Sequence, residues 1–150
     1  MKFWIAYTLS WLPVLLVGQT QLFTRWEELP EPGAIVCFYE DQAGFMWVGT
    51  EQGAYRYDGN RWQLWRRRDS GHQMVRVIQQ DPQGRLWFGY QDGGIQYLDS
   101  DQGLTTFDPE EGLSSKPITG IEFDGQGRLW FSTYGEGLYF WDRGRLYNLG

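Results

Sequence analysis

One cysteine and one histidine in 150 residues leave no material for a disulfide framework or for a metal centre of clustered Cys and His ligands. Basic residues are also scarce. Thirteen Lys and Arg stand against nineteen Asp and Glu, a formal net charge of −6, which argues against a broad electrostatic grip on a phosphate backbone and so against a nucleic-acid partner. No apolar run reaches the roughly 18 residues that a membrane-spanning helix requires. What is plentiful points elsewhere: nine each of Trp, Tyr and Phe, twenty Gly, and 41% hydrophobic residues describe a chain that folds, with a length suited to one domain.

The N-terminus carries the clearest local signal. Lys2 precedes a charge-free stretch from Phe3 to Val17, and polarity returns at Gly18, Gln19 and Thr20. This pattern predicts a signal peptide over residues 1–18, cleaved near Gly18 and Gln19, with Pro13 close to its end. Leu16, three positions before that junction, is bulkier than such sites prefer, and an uncleaved anchor is the alternative. No Cys lies near for lipid attachment. The mature chain, 19–150, is then exported, to the periplasm or the extracytoplasmic face of the inner membrane.

Beyond the leader the sequence repeats itself. Asp41-Gln-Ala-Gly44-Phe-Met-Trp47-Val-Gly49-Thr50 recurs after 40 residues as Asp81-Pro-Gln-Gly84-Arg-Leu-Trp87-Phe-Gly89-Tyr90, and after 43 more as Asp124-Gly-Gln-Gly127-Arg-Leu-Trp130-Phe-Ser132-Thr133. A second glycine follows in each copy (Gly53, Gly94, Gly137), then an aromatic-rich run ending in Asp58, Asp99 or Asp142. Within a copy the apolar residues show no 3.6-residue stripe. They form short runs rich in β-branched and aromatic types, broken by Gly, Asp and Asn, which is the pattern of strands. Four strands fit each unit, in the first copy Ile35 to Glu40, Phe45 to Thr50, Ala54 to Asp58 and Arg61 to Trp65. Asp-x-x-Gly makes the first turn, its carboxylate accepting backbone N–H groups and its glycine free to take positive φ.

Four-stranded antiparallel units at this period build a β-propeller, each sheet burying its faces against its neighbours. The blades are expected at 33–68, 73–109 and 115–150, with one extra strand at 21–28 of the kind that closes a ring. Alternation along the second strand puts Trp47 and Gly49 on one face and Val48 on the other, a ring beside a gap. Cys37 aligns with Val77 and Gly120, so the lone thiol reads as packing rather than a nucleophile. Three units are fewer than a ring needs, which suggests either an N-terminal fragment of a longer product or a share of an oligomeric ring.

These residues resemble the repeat of the two-component regulator propellers, the extracytoplasmic sensors of bacterial hybrid two-component systems. The resemblance covers about residues 21–150. It rests on Trp47-Val-Gly-Thr50, on the D-x-x-G-x-[LI]-W pattern, and on Glu111-Gly-Leu-Ser-Ser115 followed by Ile118-Thr-Gly-Ile121, which is similar to the family's link between blades. Tyr90, Ser132 and Ala54 depart from the pattern. The resemblance implies a sensory module whose complete members carry further blades, a membrane helix and a histidine kinase, and many of which sense polysaccharide fragments. This chain shows no kinase His-box and no nucleotide-binding glycine motif, so any kinase or membrane attachment belongs to a longer product.

Function is therefore expected as binding, of an oligosaccharide or other small ligand, with no cofactor, metal or catalytic residue. Sites should break the repeat rather than follow it. His72 lies in a loop between units and reads as solvated. Arg66-Arg-Arg68 reads as an exposed charged turn, or else as a grip for a carboxylate or sulfate on an acidic glycan. Two other classes compete: a streptogramin-lyase-like propeller enzyme, to which Leu86-Trp-Phe88 and Leu129-Trp-Phe131 also conform but which needs a catalytic histidine and a divalent cation, and an exported scaffold for protein partners.

Overall fold

The computed structural model describes residues 28–99 and 103–150. The expected signal peptide 1–18 with its Gly18 and Gln19 junction, and the expected extra strand 21–28 as far as residue 27, lie outside the described residues. All regular structure among the described residues is β. The strands are β1 (Ile35–Glu40), β2 (Met46–Thr50), β3 (Gly53–Tyr57), β4 (Trp62–Trp65), β5 (Val75–Gln80), β6 (Leu86–Tyr90), β7 (Ile95–Asp99), β8 (Gly103–Thr106), β9 (Ile118–Phe123), β10 (Leu129–Thr133), β11 (Gly137–Asp142) and β12 (Arg145–Asn148). They form three four-stranded antiparallel meanders, β1–β4, β5–β8 and β9–β12, each paired in chain order. The inner strands β1, β5 and β9 lie side by side, so the sheets are three blades of a β-propeller in an arc that does not close.

In the first blade each strand lies within one residue of its expected limits, and hydrogen bonds account for the trims. Asp58 leaves β3 because its carboxylate accepts the N–H groups of Asn60 and Arg61, each at 2.9 Å. Phe45 stays outside β2, its N–H donating to the Asp41 carboxylate at 2.9 Å.

Packing between blades follows the alternation along the second strand. Trp47, 1% exposed, joins Val75, Ile78, Leu86, Phe88 and Tyr90 in one core, while Trp87 joins Ile118, Ile121, Leu129 and Phe131 in the next. Each Trp ring meets the blade that follows: Trp47 lies 5.6 Å from the Phe88 ring and Trp87 5.5 Å from Phe123. The neighbouring glycines permit this approach. A Cβ on Gly49 would come 2.8 Å from the Val75 carbonyl oxygen, and one on Gly89 would come 2.5 Å from Ile118 Cγ2. In the third blade the small residue has changed strands: Ser132 stands where Gly is found in the other two, and its cross-strand partner is Gly120, at the position of Cys37 and Val77.

The two terminal faces of the arc are apolar. Phe38 is 77% exposed, whereas its counterparts Ile78 and Ile121 are buried. At the other end Trp130, Phe140 and Tyr147 stack in a row, with centroid spacings of 4.8 and 4.6 Å.

Candidate functional site

Antiparallel order sorts the loops of every blade onto two ends. The turn between first and second strands lies at one end, with the turn between third and fourth. The turn between second and third strands lies at the other, with the link to the next blade.

At the first end the three blades repeat one device. Asp41 Oδ1 accepts the N–H groups of Ala43 and Phe45, while Oδ2 accepts the indole N–H of Trp47 at 2.8 Å. Asp81 does the same with Gln83, Arg85 and Trp87, and Asp124 with Gln126, Arg128 and Trp130. Gly44, Gly84 and Gly127 take φ of +82°, +88° and +75° to close the turns. A buried indole N–H needs an acceptor, and one carboxylate supplies it while pinning the turn. In blades two and three a guanidinium completes the set: Arg85 Nε lies 2.6 Å from Asp81 Oδ2, and Arg128 Nε 2.6 Å from Asp124 Oδ2. The Trp130 indole, followed by Arg128, holds the Asp124 carboxyl well below the usual carboxylate range. Blade one exchanges the roles. Phe45 stands at the Arg position, and Arg56 from the third strand places its guanidinium 4.8 Å from the Phe45 ring centroid and 5.8 Å from that of Trp47.

The link end also has a common element. Glu51, Gln91 and Tyr134 donate their backbone N–H groups to the carbonyls of Ala34, Met74 and Pro117, fastening each link to its own blade. The side chains built on it differ at every blade. Glu51 accepts from the Ala34 N–H at 3.1 Å, and Glu136 pairs with the Ser114 hydroxyl. Between blades one and two a larger network forms. Arg67, its side chain 8% exposed, lies 2.8 Å from Asp69 and 2.8 Å from Asp92, and stacks 4.4 Å from the Tyr90 centroid. The Tyr90 hydroxyl donates to Gln96, whose amide donates to Asp69 and Thr106. Burial pushes the Asp92 carboxyl up, but Arg67 and the His72 backbone N–H outweigh it and hold it below its ordinary value.

Three segments, 29–52, 69–92 and 112–135, match the family described as two component regulator propeller, and each contains the Asp-x-x-Gly-x-x-Trp device of one blade. The chain carries the two-component regulator propeller repeat in all three blades. No curated protein matches it significantly. Among solved structures it is similar to the extracellular domain of a hybrid two-component system, BT3049 of B. thetaiotaomicron, at 24% identity and a TM-score of 0.65, over 81% of this chain and 20% of that one. It is also similar to virginiamycin B lyase from Staphylococcus aureus, solved with quinupristin as a catalytically inactive histidine variant, at 16% identity and a TM-score of 0.67, over 80% of this chain and 42% of that one. A third is PorZ, a type-IX secretion-system surface component of Porphyromonas gingivalis, at 17% identity and a TM-score of 0.62, over 79% and 22%. The chain thus spans between a fifth and about two-fifths of these structures, and the likeness is one of fold.

Against this two-component regulator propeller frame the singled-out residues take definite places. His72 is exposed, its backbone N–H donating to Asp92. Of the three arginines, Arg66 holds the Gln52 carbonyl, Arg68 is exposed, and Arg67 is half-buried with its guanidinium tucked against two carboxylates, so the expected exposed charged turn is corrected at its middle residue. The cause is Asp92, which lies 25 residues ahead and turns back onto it. Gly94 also differs from its column. Gly53 and Gly137 take positive φ, but in blade two Gly93 does so, at +87°, and a Cβ on Gly94 would meet the Arg67 guanidinium at 3.0 Å. Burial pushes the Cys37 thiol up to about 11, against smaller pulls from Gly49 and Arg76, so it is a packed, poorly nucleophilic group. Sequence reasoning missed the Asp-to-indole bond, for which the constant six-residue spacing from Asp to Trp was the signal. It also missed a bulge in each inner strand, where the pairing register shifts between Ile35 and Cys37, between Val75 and Val77, and opposite Ser132 and Thr133.

Proposed function

We propose that this chain is a ligand-binding part of an extracytoplasmic sensor of the two-component type, taking an oligosaccharide or other small ligand at the link end and the axial opening, and binding it without turnover. The observation that carries the reading is the division of labour between the two ends. Rigid Asp and Trp machinery recurs at one end, while the other end changes its side chains from blade to blade on a fixed backbone clamp, as a recognition surface does. The three repeat matches and the likeness to extracellular domains of two-component systems support it. Signal output, membrane attachment and any kinase would belong to the whole protein.

The lyase reading finds less support, because the likeness to the lyase is in fold and the one histidine here, His72, is an exposed loop residue. The deciding experiment supplies the purified protein with an oligosaccharide panel and with a streptogramin-type cyclic ester, recording heat of binding and product formation. Saturable binding of a glycan with no turnover is the expected result. Ring opening of the ester that is lost in His72→Ala would overturn it.

A further inference from the structure

The three inner strands carry a bulge at the same level, and each bulge turns out one extra residue: Val36, Arg76 or Thr119. Bulges re-aim side chains, often beside functional sites. Here they set three unlike residues on the adjacent inner strands at the link end. Only one is charged, and it is left without a counter-charge. Arg76 donates from Nη1 to the neutral Gln91 amide oxygen at 2.8 Å, while its Nε is sheltered from water with no hydrogen-bond partner. No ion pair reaches it among the described residues.

The contrast with Arg67 is direct, since that guanidinium holds two carboxylates. Nor are nearby acids free to serve. In the three second-to-third-strand turns, Glu51 is engaged by the Ala34 N–H, Asp92 by Arg67 and His72, and Glu136 by Ser114. On the adjacent blade the bulge residue Thr119 places its hydroxyl 2.8 Å from that of Ser132, adding polar groups at the same level. A half-buried guanidinium in this state is stabilised by a planar anion that takes two of its donors at once.

We propose that Arg76 anchors a small oxyanion-bearing ligand at the link end, a carboxylate or sulfate of an acidic sugar. The proposal rests on the sensor reading for the place of binding, and its failure is separable from failure of that reading. Calorimetric titration of the full chain with sodium glucuronate, sodium sulfate and glucose is the test. The two anions are expected to bind saturably and glucose not. Arg76→Gln should weaken the anions about tenfold or more, Arg76→Lys should retain an intermediate affinity because it keeps the charge but not the fork, and the exposed Arg68→Gln should leave affinity unchanged.

Equal anion affinity in wild type and Arg76→Gln overturns the proposal. So does an equal loss in Arg68→Gln, which would mean diffuse charge attraction, and so does the absence of saturable anion binding to wild type. If Arg76→Gln does not fold, judged by its urea midpoint, Arg76→Lys decides: affinity unchanged from wild type rejects the fork. A neutral oligosaccharide bound equally by wild type and Arg76→Gln, with the anions ignored, removes the anion site while leaving the sensor reading in place.

Discussion

The two ends of each blade were built from one repeat and have diverged in opposite ways. At the Asp-turn end the three blades keep the same carboxylate, the same glycine and the same indole, and where blade one loses its Arg it restores the guanidinium from another strand, as Arg56. At the link end only a backbone hydrogen bond is held in common. Geometry explains the asymmetry. The Asp turn feeds a buried Trp that two blades share, so a change there is felt in two sheets, whereas a link-end side chain touches one junction and is free to acquire a local purpose.

The largest loss is expected at the ring that two blades share. Trp87→Ala empties a site 5% exposed and should cost about 3–5 kcal/mol, against roughly half that for the half-buried Trp130→Ala, as read from urea unfolding. Equal losses would mean that the blade joint contributes little. Next comes the carboxylate: Asp81→Ala strands the indole N–H of Trp87 and removes the partner of Arg85, for about 2–4 kcal/mol. Asp41→Ala, which loses no such arginine, should cost about 1 kcal/mol less. Filling the joint is a milder insult. Gly89→Ala forces a Cβ to 2.5 Å from Ile118 Cγ2, and such overpacking costs about 1–3 kcal/mol, while the same change at exposed Gly125 should be close to neutral.

Smaller effects sharpen the link end. Because the folded state holds Asp92 below its ordinary value, its contribution is fully present above the unfolded carboxylate pKa and is lost as pH falls through the folded one. Asp92→Asn should therefore flatten the fall in melting temperature below about pH 4, and an unchanged acid limb would place the linkage elsewhere. The slightest effect is chemical. With its thiol raised from 9.0 to about 11, Cys37 should react with iodoacetamide near pH 8 about a hundredfold more slowly than a free thiol, as mass spectrometry of timed samples would show.

Most of the fold was legible in the chain because the repeat supplies three independent statements of one pattern. Where they agree, at Asp, Gly and Trp, the strands and turns follow, and the pairing of Cys37, Val77 and Gly120 with the second-strand position lies in register as the alignment of copies implied. The candidate site was less legible for the same reason: it consists of what the copies do not share. Nothing in Arg66-Arg-Arg68 indicates which guanidinium is buried, since the answer lies in where Asp92 folds. Tyr90 read as a lapse from the Thr column and is instead 2% exposed beneath Arg67. The bulges left only a faint trace, inner strands of six residues against second strands of five.

The exchange of glycine between strands in the third blade bears on how such a gene can evolve. A repeat array invites unequal crossing-over, which shuffles or duplicates whole units and keeps whatever still folds. Units with a bare second-strand position accept any successor whose first strand presses in closely, as Val75 and Ile118 do. A unit carrying Ser132 opposite Gly120 has a different socket, and inserted between the first two it would drive its hydroxymethyl group toward the Val75 backbone. The three units are therefore alike in sequence but not permutable, and recombination within this array is filtered at the joints, one methyl-sized gap at a time.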